Sequence, residues 1–324
     1  MPKYSIVVPV YNRPQEISEL LYSIKSQHFD DFEIIVVEDG SINTCESVIK
    51  DHASTFKSLK YVRIENSGPG GARNFGARHA AGEWLIFLDS DTLVPAQYLL
   101  EVDEFIIENP IDAFGGGDRD RVDFLPIQKA ISYAMTSFLT TGGIRGSSRS
   151  LEKFKPRSFN MGLLKTVFEK VGGFSDMRYG EDIDLSLRLE KGSFRTAFVP
   201  KAYVYHKRRT TFAAFFRQIR HSGEARIALS KKHKGSLKLV HMFPVIFLLG
   251  FLASLFFTFL GSAVLSLLGF WGLVLYGLYF FSILLFSTIK HWSLRVGFLA
   301  MIASIVQLSA YGLGFLSMTI KSRV

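Results

Sequence analysis

The chain has 324 residues, enough for one large or two medium-sized domains, and a formal net charge of +9. All 29 acidic residues fall within residues 1–235, whereas residues 236–324 contain five Lys or Arg residues and no Asp or Glu. This division excludes a uniformly soluble protein. It also argues against nucleic-acid binding, because the basic residues lie beside an apolar segment while residues 1–194 are net acidic.

The first hundred residues alternate between strand-like and helix-like segments. Strands are predicted at residues 5–10, 33–37, 59–64 and 83–88, helices at 14–27, 44–56 and 72–81, and a glycine-rich loop at 68–71. This order predicts an α/β fold with a mostly parallel, Rossmann-like sheet covered by helices on both faces. Ligands bind such sheets at the carboxyl ends of the strands, where three groups of polar residues fall, at 11–13, 38–41 and 89–91.

Residues 110–200 are less regular. They predict a strand at 112–117, a mobile Gly- and Ser-rich loop at 141–150, a turn at 172–174 and a helix at 182–191. Within the mobile loop, residues 142–149 are a candidate lid that closes over a ligand.

Residues 211–229 form a predicted amphipathic helix. Phe212, Phe215, Phe216 and Ile219 fall on one helical face, and arginines fall on the other sides. This pattern is typical of a helix lying in a membrane interface. The alternative is a helix packed on the domain core.

Two charge-free stretches, residues 239–289 and 296–320, are long enough for three membrane spans. The spans are predicted at about residues 240–260, 264–287 and 296–319. We therefore predict a first domain over residues 1–235 and a transmembrane region over residues 236–324. A transporter is excluded, because these spans hold no Asp, Glu, Lys or Arg that would mark a substrate path.

Charge predicts the orientation. Residues 195–235 carry eleven Lys or Arg and one acidic residue, and the 290–295 loop is also basic, so both should lie in the cytosol. Three spans would leave Lys321 and Arg323 outside, a conflict that a re-entrant segment would remove. The first residues read as a strand and not as a signal peptide, and the lone Cys45 fits a reducing compartment. We expect an integral protein of a bacterial inner membrane with its first domain in the cytosol.

Asp89 and Asp91 follow an apolar predicted strand and are two positions apart. Such carboxylates can approach a metal and a ribose together, and hard oxygen ligands suit Mn²⁺ or Mg²⁺. The alternative is a solvated turn at a strand end.

Five motifs together resemble family 2 glycosyltransferases of the GT-A fold. They are SIVVPVYN at the start, EDGS at 38–41, GGARN at 70–74, FLDSD at 87–91 and GEDIDLSLRL at 180–189, in the family's order and at its usual spacing. The resemblance covers about residues 4–221. It implies a nucleotide-sugar donor, an activity that composition and periodicity do not indicate.

The resemblance implies roles for the nucleotide-sugar side of the site. Asp39 matches the acid that hydrogen-bonds the base, and Pro9 and Tyr11 match the loop that packs against it. Arg73 matches an arginine near the nucleotide, and Asp89 matches the acid near the ribose.

The resemblance also implies the metal and the catalytic base. Asp91 matches the metal ligand, His206 resembles a histidine that completes the metal site, and Asp182 matches the catalytic base, with Glu181 beside it in the acceptor region. The alternatives are a surface histidine and a helix-capping carboxylate.

Arg217, Arg220 and His221 resemble the (Q/R)xxRW motif of membrane-bound members. Arg220 would face the pyrophosphate, while Arg217 and His221 would lie in the acceptor region. His221 replaces the family's Trp, which puts stacking against the acceptor in doubt. The arginines could equally face lipid headgroups.

The predicted reaction is an inverting, metal-dependent transfer of a sugar, UDP-linked on family grounds, to a hydroxyl of a lipid or lipid-linked glycan. A polyisoprenyl-phosphate glycosyltransferase is the alternative among enzymes, and a processive synthase is disfavoured by the few spans. Outside enzymes, an inactive nucleotide-sugar sensor or scaffold remains as an alternative.

Overall fold

The structure is a computed structural model that describes residues 1–142 and 154–321. In these residues the strands are β1 (Tyr4–Val10), β2 (Phe32–Asp39), β3 (Leu59–Ile64), β4 (Trp84–Leu88), β5 (Thr92–Leu93), β6 (Ala113–Gly115), β7 (Asp118–Arg119), β8 (Asn160–Leu164), β9 (Thr196–Phe198) and β10 (Val204–His206).

The helices in the same residues are α1 (Pro14–Lys25), α2 (Glu46–His52), α3 (Gly68–His79), α4 (Tyr98–Glu108), α5 (Pro126–Thr136), α6 (Phe138–Thr141), α7 (Lys165–Lys170), α8 (Glu181–Lys191), α9 (Phe212–Lys232), α10 (Leu239–Thr258), α11 (Ala263–His291) and α12 (Leu294–Lys321).

The main sheet has the strand order β3-β2-β1-β4-β8-β6-β9. Strands β1 to β4 pair in parallel, and β8 runs antiparallel to both β4 and β6. A second, smaller sheet has the order β5-β10-β7. The predicted α/β fold with a mostly parallel sheet is confirmed.

Apolar residues explain why the central strands are covered on both sides. One sheet face packs against Ile17, Leu20 and Ile24 of α1 in a single buried cluster. The opposite face packs against α3 and α8, with Leu185 and Leu189 fully buried. The carboxyl ends of the strands stay free of these layers and can hold polar side chains.

Two predicted boundaries differ from the structure. The predicted loop at 68–71 forms the first turn of α3, where Pro69 suits an early helical position and Ser67 donates its backbone N–H to Asp39. The predicted helix at 44–56 is shorter, since α2 ends at His52 and a 3₁₀ turn follows at Ala53–Thr55. Residues 143–149 of the candidate lid lie outside the described residues.

The chain forms two compact units. The first comprises Met1–Arg119 and Gly146–Lys207, and the second comprises Asp120–Arg145 and Arg208–Val324. Helix α9 therefore groups with the apolar helices, although the sequence assigned it to the first domain. A functional boundary at residue 235 stays a prediction.

The apolar face of α9 is covered by protein within the second unit. Phe215 and Ile219 are buried in one cluster with residues of α5 and α12, including Ile131 and Ala303. The face that the sequence assigns to a membrane interface thus packs against neighbouring helices of the second unit. A position of α9 at a membrane surface stays a prediction.

Helices α10, α11 and α12 each have the length and apolar composition needed to cross a membrane. The three predicted apolar segments are therefore confirmed as candidate spans, with α11 and α12 longer than expected.

Candidate active site

The carboxyl ends of β1, β2 and β4 bring most of the predicted site residues to one edge of the sheet. Pro9 lies near the end of β1, Asp39 ends β2, and Asp89 and Asp91 follow β4. Because these strands are parallel neighbours, residues distant in the sequence become adjacent.

Asp39 is buried and held in place by the loop that precedes α3. Its Oδ1 accepts hydrogen bonds from the Ser67 backbone N–H at 2.7 Å and from the Ser67 hydroxyl at 3.1 Å. Tyr11 is 51% exposed, so its ring is available to a ligand. Asn12 connects the loop after β1 to the loop after β2, because its side-chain oxygen accepts hydrogen bonds from the backbone N–H groups of Ile42 and Asn43.

Glu38, which the sequence did not single out, stabilises the loop at the carboxyl end of β2. Its buried carboxylate accepts from the Cys45 backbone N–H at 2.7 Å, from the Tyr61 hydroxyl at 3.0 Å and from Ser41. Burial alone would raise the pKa of Glu38, but these hydrogen bonds outweigh it and lower that pKa. The loop after β2 is thereby fixed beside Asp39.

Asp89, Asp91 and His206 carry side chains that can all bind a metal ion, and we call them the metal-type cluster. One ligand atom of each residue lies within 4.8 Å of the others. The small sheet explains this proximity, because the antiparallel pairing of β10 with β5 sets His206 opposite Thr92, next to Asp91. The Asp91 Oδ1 lies 3.3 Å from the His206 Nε2.

The carboxylate of Asp91 is surrounded by positive or potentially positive groups. Arg13 donates a hydrogen bond to its Oδ2, and His206 faces its Oδ1. Burial would raise the pKa of Asp91, but His206 and Arg13 outweigh it and hold that pKa well below its ordinary value. Asp91 is therefore an anion at neutral pH.

The residues present fit a divalent cation. Two carboxylates and an imidazole supply hard oxygen and nitrogen ligands of the kind that Mn²⁺ accepts. Asp118 is a third acid near this cluster and is itself buried, with its Oδ2 3.8 Å from the His206 Nδ1. A carboxylate behind a ligating imidazole orients the ring and raises its basicity.

Arg73 links the metal-type cluster to Glu181, the neighbour in sequence of the predicted catalytic base Asp182. This arginine is 3% exposed; one guanidinium nitrogen lies 2.6 Å from Asp89 and another lies 3.1 Å from Glu181. Phe174 packs against the same guanidinium at 5.3 Å. Arg73 thus compensates two carboxylates on elements far apart in the sequence.

Glu181 and Asp182 open α8, after the helix-capping Gly180. Burial and the neighbouring Asp182 raise the pKa of Glu181 to about 7, although Arg73 opposes the rise. The Glu181 side chain is 7% exposed and faces Arg73, so its assignment to the acceptor region stays a prediction.

Asp182 is more accessible than Glu181. Its Oδ1 accepts from the Ile183 backbone N–H at 2.8 Å, and its Oδ2 lies 3.7 Å from the Arg157 guanidinium. Asp182 is not the N-cap of α8, because Gly180 holds that position.

Arg217, Arg220 and His221 lie on α9, which belongs to the second unit. Arg217 and Arg220 are exposed, and Arg220 pairs with Glu224 at 3.3 Å. Their predicted roles at the pyrophosphate and acceptor stay predictions.

Four residues at this site were not assigned roles from the sequence: Arg13, Glu38, Asp118 and Arg157. Arg13 and Glu38 fall in polar groups already noted at strand ends, so strand order was a usable signal. Asp118 and Arg157 carry no local signal, because only the pairing of β7 with β10 and the position of α8 give them their neighbours.

Comparisons with known proteins agree with this geometry. The model of the family described as Glycosyl transferase family 2 matches residues 5–172. The GalNAc(5)-diNAcBac-PP-undecaprenol beta-1,3-glucosyltransferase of Campylobacter jejuni is 39% identical over 93 residues, 28% of this chain and 30% of that protein. The poly(ribitol-phosphate) beta-N-acetylglucosaminyltransferase TarS of Staphylococcus aureus is 34% identical over 116 residues, 35% of this chain and 20% of that protein. The chain thus spans less than a third of these curated relatives.

The mannosyltransferase PcManGT of Pyrobaculum calidifontis, solved with GDP-Man and Mn²⁺, has a TM-score of 0.63 and 21% identity. The match covers 94% of this chain and 86% of PcManGT. A structure of S. aureus TarS with UDP-GlcNAc has a TM-score of 0.50, 19% identity and coverage of 98% and 92%. At these identities the likeness shows the fold alone, which is the GT-A fold.

Proposed function

The chain belongs to glycosyl transferase family 2, and from that membership we propose an inverting glycosyltransferase that moves a sugar from a UDP-sugar to a hydroxyl acceptor. The acceptor we propose is a lipid or lipid-linked glycan at the surface of a membrane. Two relatives support these choices by their names: the TarS structure contains UDP-GlcNAc, and the Campylobacter jejuni relative acts on an undecaprenol-linked glycan.

One observation carries the proposal: Arg73 ties Asp89, beside the metal-type cluster, to Glu181, beside Asp182. A carboxylate base thus lies near the place where the diphosphate of a donor would be held. Asp182 would accept the proton of the acceptor hydroxyl as the oxygen attacks the anomeric carbon. A single base working from one side of the sugar implies inversion of its configuration.

Asp91 and His206, with Asp89 beside them, would hold Mn²⁺ or Mg²⁺. When bound, the ion would neutralise the charge that develops on the leaving diphosphate. Asp39, Pro9 and Tyr11 would bind the base of the nucleotide.

Arg220 would add positive charge near the diphosphate, and Arg217, His221 and Glu181 would contribute to the acceptor region. The apolar helices would keep the protein at a bacterial inner membrane. The first unit, which we call the catalytic unit, would lie on the cytosolic face. The basic residues near α9 support this orientation.

The first prediction tests the function with the purified full chain in detergent. Nucleoside diphosphate release is measured for a panel of UDP- and GDP-sugars with Mn²⁺ and a membrane lipid extract. Turnover of one donor should fall at least about a hundredfold in Asp182→Asn, because a general base contributes roughly 10²–10⁴-fold. Asp91→Ala should also abolish turnover, whereas Asp51→Asn, at an exposed position on α2, should leave it unchanged.

The other outcomes separate the alternatives. A phosphate acceptor is already ionised, so turnover that survives Asp182→Asn would indicate a polyisoprenyl-phosphate glycosyltransferase. Donor binding without any turnover would indicate a sensor or scaffold. A product that keeps the donor's anomeric configuration, read by NMR, contradicts the inverting mechanism.

A further inference from the structure

The three candidate spans differ in how much protein surrounds them. In their most apolar stretches, 11% of the residues of α10 and 11% of those of α11 are buried, against 50% for α12. A helix that is already half covered by protein has less surface to offer to lipid. The helices that cover α12 therefore decide whether it can enter a bilayer.

Helix α9 runs parallel to α12 in close contact. Phe215 and Ile219 cluster with α12 residues 303–311, and Ile227 clusters with Phe315 and its neighbours. The backbones approach closely between these points, since a Cβ added to Gly223 would lie 2.3 Å from the Tyr311 carbonyl oxygen. Positions advance together along both helices, so the part of α12 from residue 303 to residue 318 has matching levels on α9.

The contact between α9 and α12 places two arginines of α9 beside the middle of α12. A membrane span takes about 20 residues, and any 20-residue stretch of this 28-residue helix includes residues 302–313. Arg217 lies between Phe215 and Ile219, at that same level, and is exposed. Arg220 is also exposed, and its carbonyl oxygen contacts Gly314. If α12 crossed the bilayer, α9 would carry both arginines into the hydrocarbon core, where charged side chains are costly.

The other end of α12 is joined to a second polar segment of the same unit. The His291 Nε2 lies 2.8 Å from the Asp120 carboxylate, three residues before α12 begins. Asp120 starts a loop in which Arg121 and Asp123 are exposed and paired with each other. The middle of α12 and its N-terminal end thus both lie beside charged segments that cannot enter a bilayer core.

Helices α10 and α11 form a hairpin with the opposite character. Large apolar side chains are exposed on nearly all sides of α10, including Ile246, Leu249, Phe251 and Leu255. The two helices are joined by small residues and by a hydrogen bond from the Tyr276 hydroxyl to the Phe247 carbonyl. A pair of apolar helices of which so little is covered by protein is typical of a membrane insertion.

Helix α12 meets this hairpin near its open end. A Cβ added to Gly297 would contact Leu284 and Thr288 of α11, and one added to Gly312 would contact Pro244 of α10. The turn at residues 259–262 is at the other end of the hairpin. The exposed large apolar residues of α12 fall mainly along one side of the helix; among them are Leu294, Phe298, Ile305 and Leu313. A one-sided apolar stripe suits a helix that rests on a bilayer surface.

We propose that only the α10–α11 hairpin enters the lipid bilayer, and that α12 lies with α5 and α9 on the side of the catalytic unit. Lys238, Lys290, Arg295 and Lys321 then all lie on one side, as the bias of basic residues towards the cytosol requires. This arrangement also removes the conflict that three spans create at Lys321. It is independent of which sugar is transferred.

Single-cysteine labelling of the full chain in sealed membrane vesicles tests the proposal. Cys45, the lone cysteine, is replaced by Ala, and one cysteine is introduced at Lys321, at Ser262 in the hairpin turn, or at Asp51 as the reference for the catalytic unit. A membrane-impermeant maleimide should label positions 51 and 321 from the same side. Position 262 should label from the opposite side, or from neither side if the turn stays within the bilayer.

Labelling of position 321 from the side opposite to position 51 would overturn the proposal, as would labelling of position 262 from the same side as position 51. A depth measurement decides the case in which position 321 reacts poorly. Fluorophores on Leu252→Cys of α10 and Ile305→Cys of α12 are quenched with lipids brominated at different depths. The proposal expects the strongest quenching of position 252 deep in the bilayer and of position 305 near its surface. Equal, deep quenching contradicts it.

Discussion

Among single residues, Arg73 has the largest structural role at the site. It is almost fully buried and lies within hydrogen-bonding distance of Asp89 and Glu181 on two distant elements. Removing one partner of a buried ion pair leaves the other charge uncompensated, which usually costs more than the pair contributes.

We expect Arg73→Ala to lower the free energy of unfolding by about 3–5 kcal/mol, because two carboxylates lose their compensating charge. Arg78→Ala on the same helix is the matched control, since Arg78 is exposed, and should change stability by less than about 1 kcal/mol. Urea titration in detergent measures both. Equal losses in the two variants would show that Arg73 does not bridge the carboxylates.

Glu181 predicts a dependence of stability on pH. Burial raises its folded-state pKa to about 7 from an ordinary value of 4.5. The unfolded chain therefore releases this proton at lower pH than the folded chain does. The resulting stabilisation is complete below pH 4.5 and is lost as the pH rises towards 7.

Glu181→Gln stays neutral at all pH values, so its melting temperature should fall less than that of the wild type between pH 4.5 and 7.5. The control is Glu169→Gln, at an exposed position on α7, which should follow the wild type. Melting curves across this range measure the difference. A wild-type-like slope in Glu181→Gln would mean that Glu181 is ionised normally in the folded protein.

Among the elements, the α9–α12 contact depends on glycine. A Cβ added to Gly314 would lie 2.1 Å from the Arg220 carbonyl oxygen, far inside van der Waals contact. The two helices would have to separate to admit even one methyl group, and backbone atoms cannot move aside as a flexible side chain can.

We therefore expect Gly314→Ala to destabilise the protein by about 1–3 kcal/mol, the usual cost of overpacking. Gly277→Ala in α11 is the control, because an added Cβ there meets no atom within 4 Å and alanine favours helix. Thermal unfolding in detergent compares the two. If Gly277→Ala lost stability and Gly314→Ala did not, the close packing of α9 on α12 at Gly314 would be contradicted.

For the molecule as a whole, the distribution of exposed apolar surface separates the first unit from the hairpin. The hairpin exposes large side chains such as Leu275, at 66%, along a charge-free stretch. In the described residues of the first unit, exposed large apolar side chains such as Ile42 are few and scattered along the sequence, which is normal for a surface in contact with water.

Leu275→Arg should reduce the fraction of protein that resists alkaline carbonate extraction, because Arg costs about 2.5–3.5 kcal/mol at the centre of a spanning helix. Ile42→Arg is the matched control, since Ile42 is 92% exposed, and its extraction should match that of the wild type. Equal retention of both variants would place Leu275 outside the hydrocarbon core.

The sequence by itself determined the α/β fold, three apolar helices and the carboxylates at the strand ends. These features are local: strands and helices follow the spacing of apolar residues, and spans follow from length and lack of charge. The order of parallel strands was enough to expect that Asp39, Asp89 and Asp91 share one edge, because carboxyl ends of parallel strands meet there.

Only the tertiary structure decided the partners of these residues. Arg73 connects Asp89 to Glu181 across more than ninety positions of sequence, and Asp118 reaches His206 only because β7 pairs with β10. The sequence also left open whether the apolar face of α9 meets a membrane interface or packs on protein. Helix α12 covers it, because glycines let the two backbones approach. The sequence shows that a helix face is apolar, whereas only the packing of the helices shows whether other protein side chains bury that face.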